Sequence, residues 1–114
     1  MLDYLHVLLP HQPWRYLPTF QETVPRRDRT FARTNLVEWR NDGMAALARS
    51  MHLTQARAAD ALLGRIRDRL EAMGEWDDSL VVVTADHGIA FTAEEAGRTA
   101  SRETAPQILW TPLF

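Results

Sequence analysis

The sequence predicts an α/β fold built on a mainly parallel sheet, and three features support this prediction. Residues 80–84 (LVVVT) form an unbroken run rich in β-branched side chains, which is typical of a strand buried on both faces. Residues 44–73 carry apolar side chains at helical spacing, and residues 4–9 form another short apolar run. The order strand, loop, helix, strand is that of a right-handed βαβ unit.

Proline separates the first predicted strand from the segment that follows it. Residues 4–9 (YLHVLL) are mostly apolar, and Pro10 ends the run. Residues 10–42 are too long for an ordinary connection, so we expect a loop that is ordered to about Pro18. Its anchoring side chains are predicted to be Trp14, Tyr16, Leu17 and Phe20.

The helix predicted over residues 44–73 is the clearest element of the sequence. Its apolar positions share one face, whereas most charged residues fall elsewhere on the helical wheel. Gly74 is placed to end it, and the pattern also allows a break near residues 49–53. A last apolar run at residues 108–110 is interpreted as a third strand. The apolar helix positions are Ala59, Leu62, Leu63, Ile66, Leu70 and Met73.

Composition limits the class of protein. A chain of 114 residues suits one small domain or part of a larger one, and 46% apolar with 25% charged residues is ordinary for a globular protein. The net charge of −2 gives no electrostatic reason to expect nucleic-acid binding. The absence of cysteine excludes disulfides, thiolate metal ligands and a cysteine nucleophile. The sequence shows no signal peptide and no apolar run near the ~20 residues of a membrane span.

The residues that indicate chemistry are Asp86, His87 and Gly88, directly after the predicted strand at residues 80–84. In open α/β sheets, binding sites form beyond the carboxyl ends of the strands. A carboxylate beside a neutral imidazole is a suitable donor pair for a divalent metal ion, and glycine lets the backbone turn. The alternative is a turn in which Asp86 caps backbone groups and His87 takes no part in chemistry.

His11 and Arg15 are the second set of candidates, because they follow the first predicted strand. If the two strands are parallel neighbours, His11 opens onto the same sheet edge as Asp86 and His87. A histidine there can give a proton to a leaving group or bind an anionic oxygen. Arg15 can attract a sulfate or phosphate ester. The alternative for His11 is a histidine that is simply solvated in a loop.

Taken together, these segments resemble the sulfatase family of the alkaline-phosphatase-like superfamily. The matching pieces are YLHVLLPHQPWRYLP, QARAADALLGRIRDRLEAMGEWDDSLVVVTADHG and ETAPQILWTPLF, which occur in the family's order. Residues 19–51 match least. The resemblance implies that residues 1–114 form one partial domain of a three-layer αβα sandwich with a mainly parallel sheet. The nucleophile-bearing N-terminal half and the later C-terminal strands of that domain are expected to be missing.

The resemblance also implies site residues. Asp86 and His87 correspond to metal ligands, for Ca, Mn or Zn, and His11 to a histidine that contacts the ester or assists its leaving group. The implied activity is that of a metallohydrolase of sulfate or phosphate esters, a sulfuric ester hydrolase. The sequence contains neither a C-x-P-x-R nor an S-x-P-x-R motif, so the chain by itself is expected to be inactive.

Two alternatives remain open at this stage. One is a phospho-head-group transferase of the same superfamily, and the other is a non-catalytic α/β interaction module that uses the helix at residues 44–73 for a partner. The expected partners are the ester substrate and the remainder of the domain. Self-association of the chain through exposed sheet edges is also expected. By resemblance, the chain is expected to belong to an extracytoplasmic domain of a membrane protein.

Overall fold

The computed structural model describes residues 2–23, 39–93 and 97–114. Within these ranges the chain forms two helices, α1 (Asp42–Met73) and α2 (Ala105–Leu109), and no β-strand. Strand-like pairing in the same ranges is limited to isolated bridges between Tyr16 and Glu22, Trp39 and Ala93, and Thr84 and Leu113. The predicted three-layer αβα sandwich with a mainly parallel sheet is therefore wrong for this chain, which is mostly helical where it has regular structure.

The three predicted strands fail for a common physical reason. A strand needs a neighbour for its backbone N–H and C=O groups, whereas a helix pairs these groups within itself. Of residues 80–84, Val83 exchanges two backbone hydrogen bonds with Phe114, at 2.9 and 3.0 Å, but this pairing does not extend into a ladder. Residues 4–9 have no regular secondary structure, and Ile108 lies in α2 instead of a strand.

Helix α1 confirms the helix predicted over residues 44–73 and runs without a break. The Asn41 side chain caps its start by accepting a hydrogen bond from the Met44 N–H at 3.0 Å. At the other end Gly74 adopts a left-handed conformation with φ 72°. The N–H groups of Gly74 and Glu75 donate to carbonyls of the last turn, as in a Schellman motif.

The core lies against the N-terminal half of α1. Small residues of the helix, Ala45 and Ala48, pack against Trp14 and Trp39, all less than a tenth exposed. The predicted apolar stripe of the C-terminal half is only partly covered, and Met73 is 52% exposed. The helix therefore buries a narrow face of small side chains onto large aromatic ones.

Four rings connect separate segments of the chain to this face, and we call them the aromatic cluster: Trp14, Trp39, His52 and Phe91. The Trp39 and Phe91 rings stack with centroids 5.7 Å apart, and Trp14 lies about equally close to both at 6.0 and 5.9 Å. The Trp39 indole N–H donates to the carbonyl of Ala90 at 3.2 Å. The cluster thus fixes residues 10–16 and residues 89–91 against α1.

Large apolar side chains outside the core are solvent-exposed. Leu80, Trp110 and Phe114 are 91%, 86% and 82% exposed. Trp110 therefore lies outside the core, whereas Trp14 and Trp39 are buried in it. In the part of the chain that the structure describes, no helix has both the length and the apolar character needed to cross a bilayer.

Candidate functional site

Asp86 and His87 are oriented by hydrogen bonds within their own short segment. The backbone N–H of His87 donates to Asp86 Oδ1 at 2.9 Å. His87 Nδ1 lies 2.8 Å from the carbonyl oxygen of Gly88. A carbonyl oxygen can only accept, so Nδ1 carries the hydrogen in this contact, and in the neutral imidazole the lone pair is on Nε2.

The two side-chain atoms of Asp86 and His87 that are not held by the backbone, Oδ2 and Nε2, face each other. His87 Nε2 lies 3.7 Å from Asp86 Oδ2, and the Asp86 side chain is 89% exposed. Metal–ligand bonds of about 2.0–2.6 Å place two donors of one cation roughly 3–4 Å apart, so the observed separation fits a shared divalent ion. Histidines that bind metals commonly donate their other ring N–H to a carbonyl, as His87 does to Gly88.

The donor set is incomplete as a metal centre. Among residues 2–23, 39–93 and 97–114, no three His, Asp or Glu side chains come together in a way that could hold a metal ion. The Asp86–His87 pair therefore brings two donor groups together, whereas a structural zinc site typically has about four ligands.

The carboxylate of Asp86 is stabilised in its charged form. The hydrogen bond from the His87 backbone N–H is the main cause that lowers the pKa of Asp86 below its usual value, and desolvation is the second cause and acts in the opposite direction. The charges of His87 and Arg98 lower this pKa further. Asp86 is consequently an anionic oxygen donor throughout the neutral pH range.

The C-terminal part of the chain positions the segment that carries the pair. The Gly88 N–H donates to the carbonyl of Ile108 at 2.7 Å, and a Cβ atom at position 88 would collide with the carbonyl of Gln107. The Gln107 side chain in turn accepts a hydrogen bond from the Phe91 N–H at 3.2 Å. Gly88 is thus required for the close approach of α2 rather than only for a turn.

His11 is exposed, and both of its ring nitrogens are engaged. Nδ1 lies 2.6 Å from the carbonyl oxygen of Gln12 and therefore carries a hydrogen. Nε2 lies 2.8 Å from a guanidinium nitrogen of Arg98, which can only donate, so Nε2 is the acceptor. His11 is neutral in this arrangement, with Arg98 in front of its lone pair.

Arg98 is the site residue that sequence reasoning missed. It donates a hydrogen bond to His11, and its positive charge is the smallest of the causes that lower the pKa of Asp86. No motif or periodicity marks it in the sequence. Its placement follows from a backbone contact, because the Ala90 N–H donates to the carbonyl of Gly97 at 2.9 Å and so turns the chain back.

Arg15 follows His11 in the same loop. It lines a cavity of about 390 Å³, and its guanidinium makes no hydrogen bond or ion pair to any other residue that the structure describes. Its backbone N–H donates to the side chain of Gln55 at 2.7 Å. No contact joins it to Asp86 or His87. The other residues that line the cavity are Trp14, Tyr16, Thr23, Ser50, Met51 and Thr54.

Comparison with known proteins gives the class of this chain. The family model described as Sulfatase matches residues 2–114, almost the whole sequence. The chain therefore belongs to the sulfatase family, which confirms the resemblance and indicates a hydrolase-like function. No curated protein and no solved structure matches the chain.

Proposed function

We propose that this chain contributes a divalent-metal and anion-binding site to the hydrolysis of sulfate or phosphate esters. The supporting observation is the Asp86–His87 pair, whose free donor atoms are 3.7 Å apart while Nδ1 of His87 is held by the Gly88 carbonyl. Sulfatase family membership supports the same chemistry. In this proposal Asp86 and His87 are the metal ligands, and His11 and Arg15 contact the substrate.

The proposed ligands would hold Ca, Mn or Zn. Such an ion, when bound, supplies Lewis acidity that polarises an ester oxygen and lowers the pKa of a nucleophile. Asp86 suits this role because its lowered pKa keeps it ionised. His87 suits it because its hydrogen bond to Gly88 turns the lone pair of Nε2 towards Asp86 Oδ2.

The basic side chains would act on the anionic end of the ester. Arg98 donates one of the five N–H groups of its guanidinium to His11, so the other N–H groups remain available for sulfate or phosphate oxygens. His11 keeps its proton on Nδ1, against the Gln12 carbonyl, and it would become an acid for the leaving group only after Arg98 had moved away from Nε2 and left that nitrogen free to take a second proton. Arg15 offers a further unpaired guanidinium at the cavity.

The metal part of the proposal is tested by titration with Mn²⁺, followed through paramagnetic broadening of backbone NMR signals. We expect weak binding, since two ligands are present, with the broadening centred on Asp86, His87 and Gly88. The Asp86→Asn variant removes the anionic donor with little change of shape and should lose the effect. Asp78→Asn, at an exposed aspartate in the turn before residue 80, is the matched control. Unchanged broadening in Asp86→Asn would refute the metal site.

The anion part is tested separately with inorganic sulfate and phosphate. We expect both ions to shift the NMR signals of the Arg98 and Arg15 side chains, more strongly once the metal is bound. Removing one charge-assisted contact in Arg98→Gln should weaken binding by about tenfold or more. Arg102→Gln, at an exposed position with no partner in the described chain, serves as the control. Equal losses in the two variants would show general charge attraction instead of a site.

A further inference from the structure

Gln55 is a buried polar side chain in the middle of α1, with only 1% of its surface exposed. Both ends of its amide bind the backbone of one loop. Oε1 accepts from the N–H groups of Arg15 at 2.7 Å and Tyr16 at 3.1 Å. Nε2 donates to the carbonyl of His11 at 2.6 Å. Three backbone groups in six residues are thus held by a single side chain.

An uncharged amide meets all three of these requirements, whereas no ionised side chain does. The loop presents two donors and one acceptor to the same buried point, and glutamine supplies a carbonyl with two lone pairs beside an NH₂ group. A carboxylate lacks the donor, and an ammonium group lacks the acceptor. Because the amide sits on a helix that is capped at both ends, it gives the loop a rigid reference point.

We infer that Gln55 is a positioning residue, which fixes His11 and Arg15 relative to α1 and to each other. It touches neither a reacting atom nor the proposed metal ligands, so it acts through the loop. Its effect extends further through the His11 ring, whose Nε2 receives the hydrogen bond of Arg98 at 2.8 Å. The inference that Gln55 orders the loop is independent of the proposed function. The further inference that this order strengthens anion binding rests on the proposed function.

The ordering is tested by amide hydrogen exchange in the whole chain. In Gln55→Met, which keeps length and helix propensity but removes all three bonds, exchange at Arg15 and Tyr16 should become on the order of tenfold faster. Arg57→Met, at an exposed position on the same helix, should leave these two amides as protected as before. Unchanged protection in Gln55→Met would overturn the inference.

The Gln55→Glu variant separates positioning from a general loss of stability. Its carboxylate keeps the acceptor for Arg15 and Tyr16 but cannot donate to His11, whereas its protonated form can. Burial raises the pKa of such a carboxyl, so the loop should be restored to wild-type protection on acidification. A difference from the wild-type protein that stays constant with pH would contradict positioning by the donor.

Sulfate titration of the same variants links the loop to the proposed function. We expect Gln55→Met to bind sulfate about tenfold more weakly, and Gln55→Glu to approach wild-type affinity as the pH falls. If the wild-type protein binds no sulfate, the proposed function fails while the exchange result still decides the ordering. If the wild-type protein binds sulfate and both Gln55 variants bind it equally well, the positioning inference fails alone.

Discussion

Two regions of this molecule contain similar apolar residues in opposite surroundings. Around the aromatic cluster, Trp39 is 2% exposed and stacks on Phe91. In the segments that carry the candidate site, Leu80 is 91% and Trp110 86% exposed. In the first, closed region, loops pack against a helix that pairs its own backbone groups. The second, open region consists of segments with a strand-like composition that do not form strands. Burial here is decided by available neighbours and not by residue type.

The contrast bears on the candidate site directly. His11 and Arg15 belong to the closed region, since Gln55 and Trp14 hold their loop against α1. Asp86 and His87 belong to the open region and depend on α2 for their position. The anion-contacting half of the proposed site is therefore better fixed than the metal-binding half.

Removal of a ring from the closed region should produce the largest effect. Trp39→Ala deletes a buried, stacked indole and its hydrogen bond to Ala90, so we expect it to lower the free energy of unfolding by about 3–5 kcal/mol. Trp110→Ala is the matched change in the open region and should cost less than about 0.5 kcal/mol. Urea denaturation of both variants measures the difference. Similar losses would remove the distinction between the two regions.

Gly88→Ala should have an intermediate effect. The added methyl group meets the carbonyl of Gln107, so the loop or α2 must move, at a cost of about 1–3 kcal/mol. Gly64→Ala is the control, because nothing lies near its Cβ position within α1. There the same change should stabilise by about 0.5–1 kcal/mol. Denaturation midpoints that shift in the same direction for both variants would contradict this account of Gly88.

His52 should give the smallest effect, visible only as a pH dependence. Burial lowers the pKa of His52 below its ordinary value of 6.5, and its Nδ1 is buried without a hydrogen-bond partner in the described chain. Below pH 6.5 the unfolded chain therefore binds more protons at His52 than the folded chain does. The contribution of neutral His52 to the free energy of unfolding is complete above pH 6.5 and is lost as the pH falls through the pKa of His52 in the folded protein. The slope is at most about 1.4 kcal/mol per pH unit.

The measurement is the free energy of unfolding between about pH 7.5 and 5 in wild-type protein and in His52→Gln. We expect the variant to be less sensitive to acid in this range, because glutamine does not titrate. His6→Gln, at an exposed position, provides a comparison. An identical slope in wild-type protein and His52→Gln would mean that the cluster tolerates the charged imidazole.

The helix could be predicted from the sequence because its signals are local. Helical spacing and Gly74 correctly indicated a helix ending at Met73, and only its start, at Asp42, lies outside the predicted range. The parallel sheet could not be predicted reliably from the same information. The LVVVT run describes side chains that favour a strand, but a sheet also needs partner strands at the correct distance. For this run the described chain supplies one short pairing, formed by the two hydrogen bonds between Val83 and Phe114.

The candidate site, like the fold, could be predicted from the sequence only where its residues are close together in the chain. Asp86 and His87 are neighbours in the sequence, so their proximity required no knowledge of the fold. Arg98 and Gln55 could not be found in this way, since they meet His11 across 87 and 44 positions of the chain. Nothing in their local sequence differs from an ordinary exposed arginine or a helix-favouring glutamine. Only the folded arrangement gives them a role.

The tight contact at Gly88 has a consequence for how relatives of this chain should be compared. An alanine there would meet the neighbouring carbonyl and destabilise the fold, so selection for stability would favour glycine at this position even in a relative that had lost all activity. Asp86 is largely surrounded by solvent and supports no packing. Across homologous sequences, the persistence of that aspartate would therefore report selection for chemistry, and the persistence of the glycine would report selection for shape.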